Sequence, residues 1–228
     1  MKHAYFITGT DTGVGKTLVS CALLQAFVKQ GIKAVGMKPV AAGCVETSSG
    51  LCCEDVESLL AAGNVVALRE WVNPYALISP VAPHIAAEQA GVEINLERID
   101  RSFRQLREMA DVTVVEGVGG FAVPLNARQD TADMAEMLGL PVILVVGMRL
   151  GCINHALLTA QAIRHKGLHL AAWVANQIDP GMSAFDENLH ALETRLAAPL
   201  LGIIPFQTEA SLSAASGLMD LYILNSCK

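Results

Sequence analysis

The sequence predicts an α/β fold, a single domain over residues 1–228 with one parallel sheet and helices on both of its faces. Three observations predict it. Short apolar or β-branched runs alternate with longer segments of helical period along the chain. Hydrophobic residues make up 52% of the sequence and mean hydropathy is +0.41, a share that strands buried on both faces account for. A glycine-rich stretch, Gly9-Thr10-Asp11-Thr12-Gly13-Val14-Gly15-Lys16-Thr17, stands between the first apolar run and the first helical one. That strand–loop–helix context is the one a phosphate-binding loop requires.

The first run, residues 4–8, carries Tyr5, Phe6 and Ile7 and reads as a strand; residues 18–27 read as the helix after the loop. In such a loop glycines let backbone N–H groups approach phosphate oxygens, and the helix N-terminus adds donors and a positive dipole end. Lys16 supplies a charge for the outer phosphates and Thr17 a hydroxyl for Mg²⁺. The spacing is unusual: the common motif has Gly at position 10, where Thr10 stands, so counting from Gly9 the loop is one residue longer. Gly31 stops the helix, and residues 34–37 form a second strand ending in Lys38-Pro39-Val40-Ala41-Ala42-Gly43. Lys38 is then at a strand's carboxyl end, where open α/β sheets bind ligands, or is a solvated lysine.

Residues 44–53 are small and polar and read as loop. Residues 54–62 read as a helix opening with Glu54, Asp55 and Glu57, whose charges suit a helix N-terminus; Asp55 is alternatively a metal ligand. Residues 73–83 hold three prolines and no strong period. Pro83-His84 opens a helix over 85–90. Asn95 caps the next, 96–109, with Ile99, Phe103, Leu106 and Met109 on one face. Residues 112–115 are a β-branched strand ending in Glu116-Gly117-Val118-Gly119-Gly120. A carboxylate directly after a buried strand, in a chain with a phosphate loop, is similar to the Walker B arrangement, where it meets Mg²⁺ or its water shell. Residues 121–129 read as loop or hairpin, and 131–138 as a helix stopped by Gly139 and Pro141. Residues 142–146 are apolar throughout and read as a central strand. Residues 149–155 lead into a helix reaching His165. The strand over 170–175 ends in Asn176-Gln177-Ile178-Asp179, similar to the base-reading Asn-x-x-Asp of P-loop GTPases; Asn176 reads a base or only serves a turn. A helix over 183–197 and a last strand over 200–204, ending at Pro205-Phe206, precede a partly helical tail.

The net charge of −6, without a basic cluster, argues against a nucleic-acid or anionic-membrane surface. No apolar run approaches the roughly 18 residues of a transmembrane helix. The six cysteines, Cys21, Cys44, Cys52, Cys53, Cys152 and Cys227, form no C-x-x-C pair and are expected as reduced thiols of a cytoplasmic protein.

Several stretches together resemble the dethiobiotin synthetase family. They are Thr8-Gly9-Thr10-Asp11-Thr12 with Val14-Gly15-Lys16-Thr17, Lys38-Pro39-Val40-Ala41, Asn73-Pro74-Tyr75, Pro83-His84, Val115-Glu116-Gly117, the run 141–147, Leu150-Gly151-Cys152-Ile153-Asn154-His155 and Trp173-Val174-Ala175-Asn176. The longer loop is a trait of that family. The resemblance implies a P-loop NTPase-like fold and an ATP- and Mg²⁺-dependent cyclo-ligase. Such an enzyme joins CO₂ to 7,8-diaminopelargonate and closes the ureido ring of dethiobiotin, with ADP and phosphate as the other products. By matched position, Gly13, Val14, Gly15, Lys16, Thr17, Leu18 and Gly119 are expected at the nucleotide, with Asn176, Gln177 and Pro205 towards its base. Thr17, Asp55 and Glu116 are expected around Mg²⁺. Thr12 and Lys38 are expected at the carbamate and transferring phosphoryl, and Ala42 beside the substrate. Gly151 and Asn154 are expected to hold substrate across a homodimer interface. Gly13 stands where some members carry Glu, and Ala42 where some carry a hydroxyl. A ParA-like ATPase switch shares the fold class, but a second lysine early in the loop is absent. An amidotransferase-type synthetase would need a further domain.

Overall fold

The computed structural model describes residues 2–48, 50–206 and 212–226. Its centre is a six-stranded sheet of β1 (His3–Gly9), β2 (Ala34–Met37), β7 (Val112–Glu116), β8 (Val142–Met148), β9 (Leu170–Gln177) and β10 (Leu200–Ile204). The spatial order is β10-β9-β8-β1-β7-β2, and every pairing is parallel. Between β2 and β7 come first β3 (Val40–Ala42), β4 (Val45–Thr47), β5 (Gly50–Cys52), α2 (Glu54–Ala62), α3 (Arg69–Val72) and β6 (Tyr75–Leu77). After them come α4 (Pro83–Gln89) and α5 (Leu96–Met109). The other helices are α1 (Lys16–Lys29), α6 (Thr131–Leu138), α7 (Cys152–His165), α8 (Phe185–Arg195), α9 (Leu212–Gly217) and α10 (Leu221–Ser226).

Side-chain alternation along buried strands makes two cores, one on each face. Tyr5 and Ile7 join α1, α9 and α10, while Ala4 and Phe6 join α4, α5, α6, α7 and α8. α1 is therefore apolar over most of its circumference, with Val19, Leu23, Leu24 and Phe27 at most 4% exposed. α5 is amphipathic: Leu96, Ile99, Phe103 and Leu106 are buried, and the Asn95 side chain caps it by accepting from the Arg98 N–H at 2.9 Å. Met109, expected on the same face, is half exposed at the helix end, where buried Ala110 begins the turn into β7. Asp130 and Asp133 form a capping box at α6.

Two expectations need correction, and one stretch without a period proves to hold a strand. Residues 44–53 are not loop throughout: β4 and β5 form an antiparallel hairpin. Residues 73–83 contain β6, which pairs in parallel with β3. These strands have three residues each, too short for a period to be read. The thiols are not all reduced either: Cys44 and Cys53 are joined as a disulfide, while Cys21, Cys52 and Cys152 are free and Cys227 lies outside the described residues. Strand β9 extends through Gln177, so Asn176 is part of the strand and not of a turn.

β1 is followed through α1 by β2 on one side, while β8, beyond β7 in sequence, lies on its other side. The sheet thus changes direction at β1, and a crevice opens past its carboxyl end.

Candidate active site

The loop after β1 wraps the start of α1 with Gly13 and Gly15 at φ 75° and 88°. Gly15 is required twice over: that φ disfavours a side chain, and a Cβ there would collide with the Asn176 carboxamide. Asn176 Nδ2 donates to the Val14 carbonyl at 2.8 Å. The Val14 side chain is buried against Gly147, so this residue anchors the loop in the core and offers a ligand only its backbone. Leu18 packs on the α1-side core.

Lys38, just past β2, and Glu116, the last residue of β7, are inside the protein, at 3% and 0% exposure. Lys38 Nζ donates to Glu116 Oε1 at 2.6 Å and to the Gly117 carbonyl at 3.2 Å, and pairs with Asp55 Oδ2 at 3.0 Å. The solvated alternative for Lys38 is therefore excluded. Asn73, buried, donates to the Lys38 carbonyl at 2.6 Å and keeps the strand end in place. The Thr17 hydroxyl is 2.9 Å from both Asp55 Oδ1 and Glu116 Oε1. One hydroxyl proton serves only one of them. Glu116 Oε2 is buried without a partner.

Burial pulls the Lys38 pKa down, but the carboxylates of Glu116 and Asp55 outweigh it and hold it above the ordinary lysine value. Burial pushes Asp55 up, and Lys38 and Thr17 outweigh that and hold it below the usual carboxylate range. Burial, with the like charge of Lys38, pushes Lys16 down to about 8. Lys16 Nζ donates to the Asp11 carbonyl at 3.0 Å.

These groups line one cavity of about 760 Å³. Thr12, Gly13, Gly15, Lys16, Thr17, Lys38, Ala42, Asp55, Glu116 and Gly119 all border it. Its other wall, Pro80, Val81, Ala82, Pro83, Val118 and Val123, is apolar and was not anticipated from the sequence. The prolines in 73–83 were the available signal, since they fix backbone shape. The remaining candidates stand apart. Gln177 is half-buried and accepts from the Phe206 N–H at 3.3 Å; Pro205 is exposed. Gly151 caps α7 at φ 92° and Asn154 is exposed in its first turn; neither borders this cavity.

The donor set suits a hard cation. Thr17, Asp55 and Glu116 offer only oxygens, one of them buried and unpartnered. Among the described residues no cluster of three or more His, Cys, Asp or Glu could hold a metal alone. Two carboxylates and a hydroxyl match Mg²⁺, which takes the rest of its coordination shell from phosphates and water.

Residues 3–213 match the family model described as AAA domain. The chain is 56% identical over 221 residues to the ATP-dependent dethiobiotin synthetase BioD of Nitrosospira multiformis, covering 97% of this chain and 96% of the relative. It is 58% identical to that of Aromatoleum aromaticum over 203 residues, 89% and 90% of the two chains. It is 51% identical to that of a Janthinobacterium species over 223 residues, 96% and 94%. Among solved structures, the septum site-determining protein MinD of Pyrococcus horikoshii, complexed with Mg-ADP, superposes with TM-score 0.58 at 16% identity over 99% of this chain and 90% of that one. Aquifex aeolicus MinD does so with TM-score 0.55 at 18% identity, over 94% and 85%. At those identities the likeness is one of fold, that of the P-loop NTPases. The sequence identities are of another order: the chain belongs to the ATP-dependent dethiobiotin synthetase family and is an ATP-dependent ligase.

Proposed function

We propose that this enzyme carboxylates 7,8-diaminopelargonate with CO₂ and closes the ureido ring of dethiobiotin at the expense of MgATP. The observation that carries the reading is Lys38, a buried cation between Glu116 and Asp55 that lines the same cavity as Lys16. A nucleotide switch has no need of a second buried lysine facing its phosphate loop. A ligase must bring an anionic carbamate to an anionic phosphate.

In this reading one substrate amine takes up CO₂ as a carbamate. The carbamate oxygen attacks the γ-phosphorus of ATP and ADP leaves. The second amine then attacks the carbamic–phosphoric anhydride carbon, and phosphate leaves as the ring closes. Lys16 and the loop amides from Gly13 to Leu18 hold the phosphates. Lys38 offsets the charge where carbamate and phosphate meet, with Thr12 beside them. Thr17, Asp55 and Glu116 would hold Mg²⁺, which would supply positive charge to offset that of the phosphates. The apolar wall from Pro80 to Pro83, with Val118 and Val123, keeps water from the anhydride. Ala42 borders the substrate region without a hydroxyl. Asn176, beside its bond to Val14, and Gln177 and Pro205 face the base in this reading.

The working unit proposed is a cytoplasmic homodimer, with Gly151 and Asn154 of one subunit completing the substrate site of the other. Their exposure, with Leu150 and Leu158 at 93% and 56% on the same segment, supports that interface. No helix among the described residues is long and apolar enough to cross a membrane. The test is dethiobiotin formation from diaminopelargonate, bicarbonate and MgATP; ATP hydrolysis without ring closure would refute the reading.

A further inference from the structure

Arg149 follows β8 directly and stands two residues before Gly151, the cap of α7. Its guanidinium donates to Asp11 Oδ2 at 2.8 Å. The other oxygen of that carboxylate, Oδ1, accepts the Thr12 N–H at 2.7 Å, and the Asp11 carbonyl accepts from Lys16 Nζ. One loop residue is thereby tied to the amide of Thr12, to the ammonium of Lys16 and to a segment 138 positions away.

We propose that Arg149 is a positioning residue of the phosphate loop. Through Asp11 it fixes the loop backbone at Thr12 and the Lys16 ammonium, so that the amides that follow stand in the arrangement that receives the nucleotide phosphates, and it couples that arrangement to the start of α7. The inference rests on the reading of the cavity as the MgATP site.

Two physical arguments carry it. Asp11 puts a carboxylate beside a site for a polyanion, a repulsive placement unless a cation neutralises it, and Arg149 lies where that cation is needed. Among the described residues Asp11 is also the only acceptor for Thr12 N–H, and Gly13 next in the chain has no Cβ to restrict its φ. With the guanidinium gone, the carboxylate can turn, and the loop spreads over other conformations. Apparent affinity then falls by the fraction that remains competent. Both side chains are partly exposed, 41% for Arg149 and 49% for Asp11, so the pair adds little to global stability. Its effect is expected on binding rather than on folding.

The test is calorimetric MgATP affinity, with thermal midpoints, for the full-length wild type, Arg149→Ala, Arg149→Lys, Asp11→Asn and the Asp11→Asn/Arg149→Ala double variant. Arg149→Ala is expected to bind about fivefold more weakly, the factor that roughly 1 kcal/mol converts to. Its midpoint should shift by no more than about 4 °C. Arg149→Lys should recover most of the affinity. The double variant should bind no more weakly than Arg149→Ala, because both changes remove one coupling. Wild-type affinity in Arg149→Ala, or losses that multiply in the double variant, would overturn the inference. So would equal midpoint losses in the Ala and Lys variants with affinity unchanged. Wild type and Lys16→Ala separate the two levels. If wild type binds MgATP and Lys16→Ala does not, failure at Arg149 sinks this inference alone. If wild type binds no MgATP, the reading of the cavity falls and the inference with it.

Discussion

Replacing Lys38 by Gln keeps an N–H donor on a side chain one bond shorter and removes one charge. Glu116 has no exposed surface and Lys38 lies 2.6 Å from it, with Asp55 at 3.0 Å on the other side. Breaking a buried pair by removing one partner costs about 3–5 kcal/mol, and the remaining Gln hydrogen bond moves the expectation to about 3. For a chain of this length that lowers the ligand-free thermal midpoint by roughly 6–12 °C. The pH dependence has a defined sign. Lys38, whose folded pKa is raised, stabilises the wild type fully below the unfolded value of about 10.4 and loses this as pH rises through the folded one. Asp55, whose folded pKa is lowered, contributes above the unfolded value of about 3.9 and loses this as pH falls below it. The gap between wild type and variant should therefore be flat from about pH 5 to 7, below the range where Lys16, itself coupled to Lys38, titrates, and should narrow as pH falls below about 4. Added Mg²⁺ should restore part of the midpoint, since it supplies the missing charge to the same carboxylates. Turnover at saturating MgATP should fall on the order of a hundredfold to a thousandfold, the range for losing one preorganised donor aimed at developing charge. The assays are differential scanning calorimetry across pH and coupled product formation. A Lys38→Gln protein with wild-type midpoint and turnover would refute both the burial argument and the assigned role.

Other expectations follow from the same geometry. Because burial holds Lys16 at about 8, MgATP affinity should weaken as pH rises through that value, approaching a tenfold loss per unit, with proton uptake on binding at pH 9; titrations that are flat to pH 9.5 would contradict it. Glu116→Gln should raise the Mg²⁺ concentration needed for half-maximal activity more than Glu57→Gln does, since Glu57 pairs with Arg69 away from the cavity; equal effects would remove Glu116 from the metal site. Reducing the Cys44–Cys53 disulfide, which closes a loop over a separation of 9, should cost up to about 3 kcal/mol, seen as a lower midpoint in dithiothreitol and matched by Cys53→Ser without reductant. Leu150→Asp, at a residue 93% exposed, should give monomers in analytical ultracentrifugation with loss of ligase activity; an active monomer would refute the shared site.

Much of the sheet and part of the site were legible before any contact was known. β8 reads as a central strand because residues 142–146 are apolar throughout, as a strand covered on both faces requires, and the structure buries all seven residues of Val142–Met148. Lys38, Glu116 and the Lys16-Thr17 pair announce themselves because each stands at a strand end or helix start, where a parallel sheet puts its ligands. The hairpin of β4 and β5, the β3–β6 pairing and the Cys44–Cys53 bond were not legible, since three-residue strands carry no period and six cysteines allow many pairings. Nor was the apolar wall of Pro80 to Pro83 with Val118 and Val123, which comes from two loops without periodicity.

What the sequence determined by itself is local: the order of strands and helices, the loop that can cradle phosphates, and the family to which its motifs point. Only the tertiary structure decided what the polar residues do with one another. Thr17 meets Glu116 across 99 positions, Asn176 uses its amide on Val14 across 162, and Arg149 reaches Asp11 across 138. Propensity and periodicity act over a few residues, whereas charge pairing, burial and the pKa shifts they cause depend on distance in space, and the chain acquires those distances only when the sheet closes.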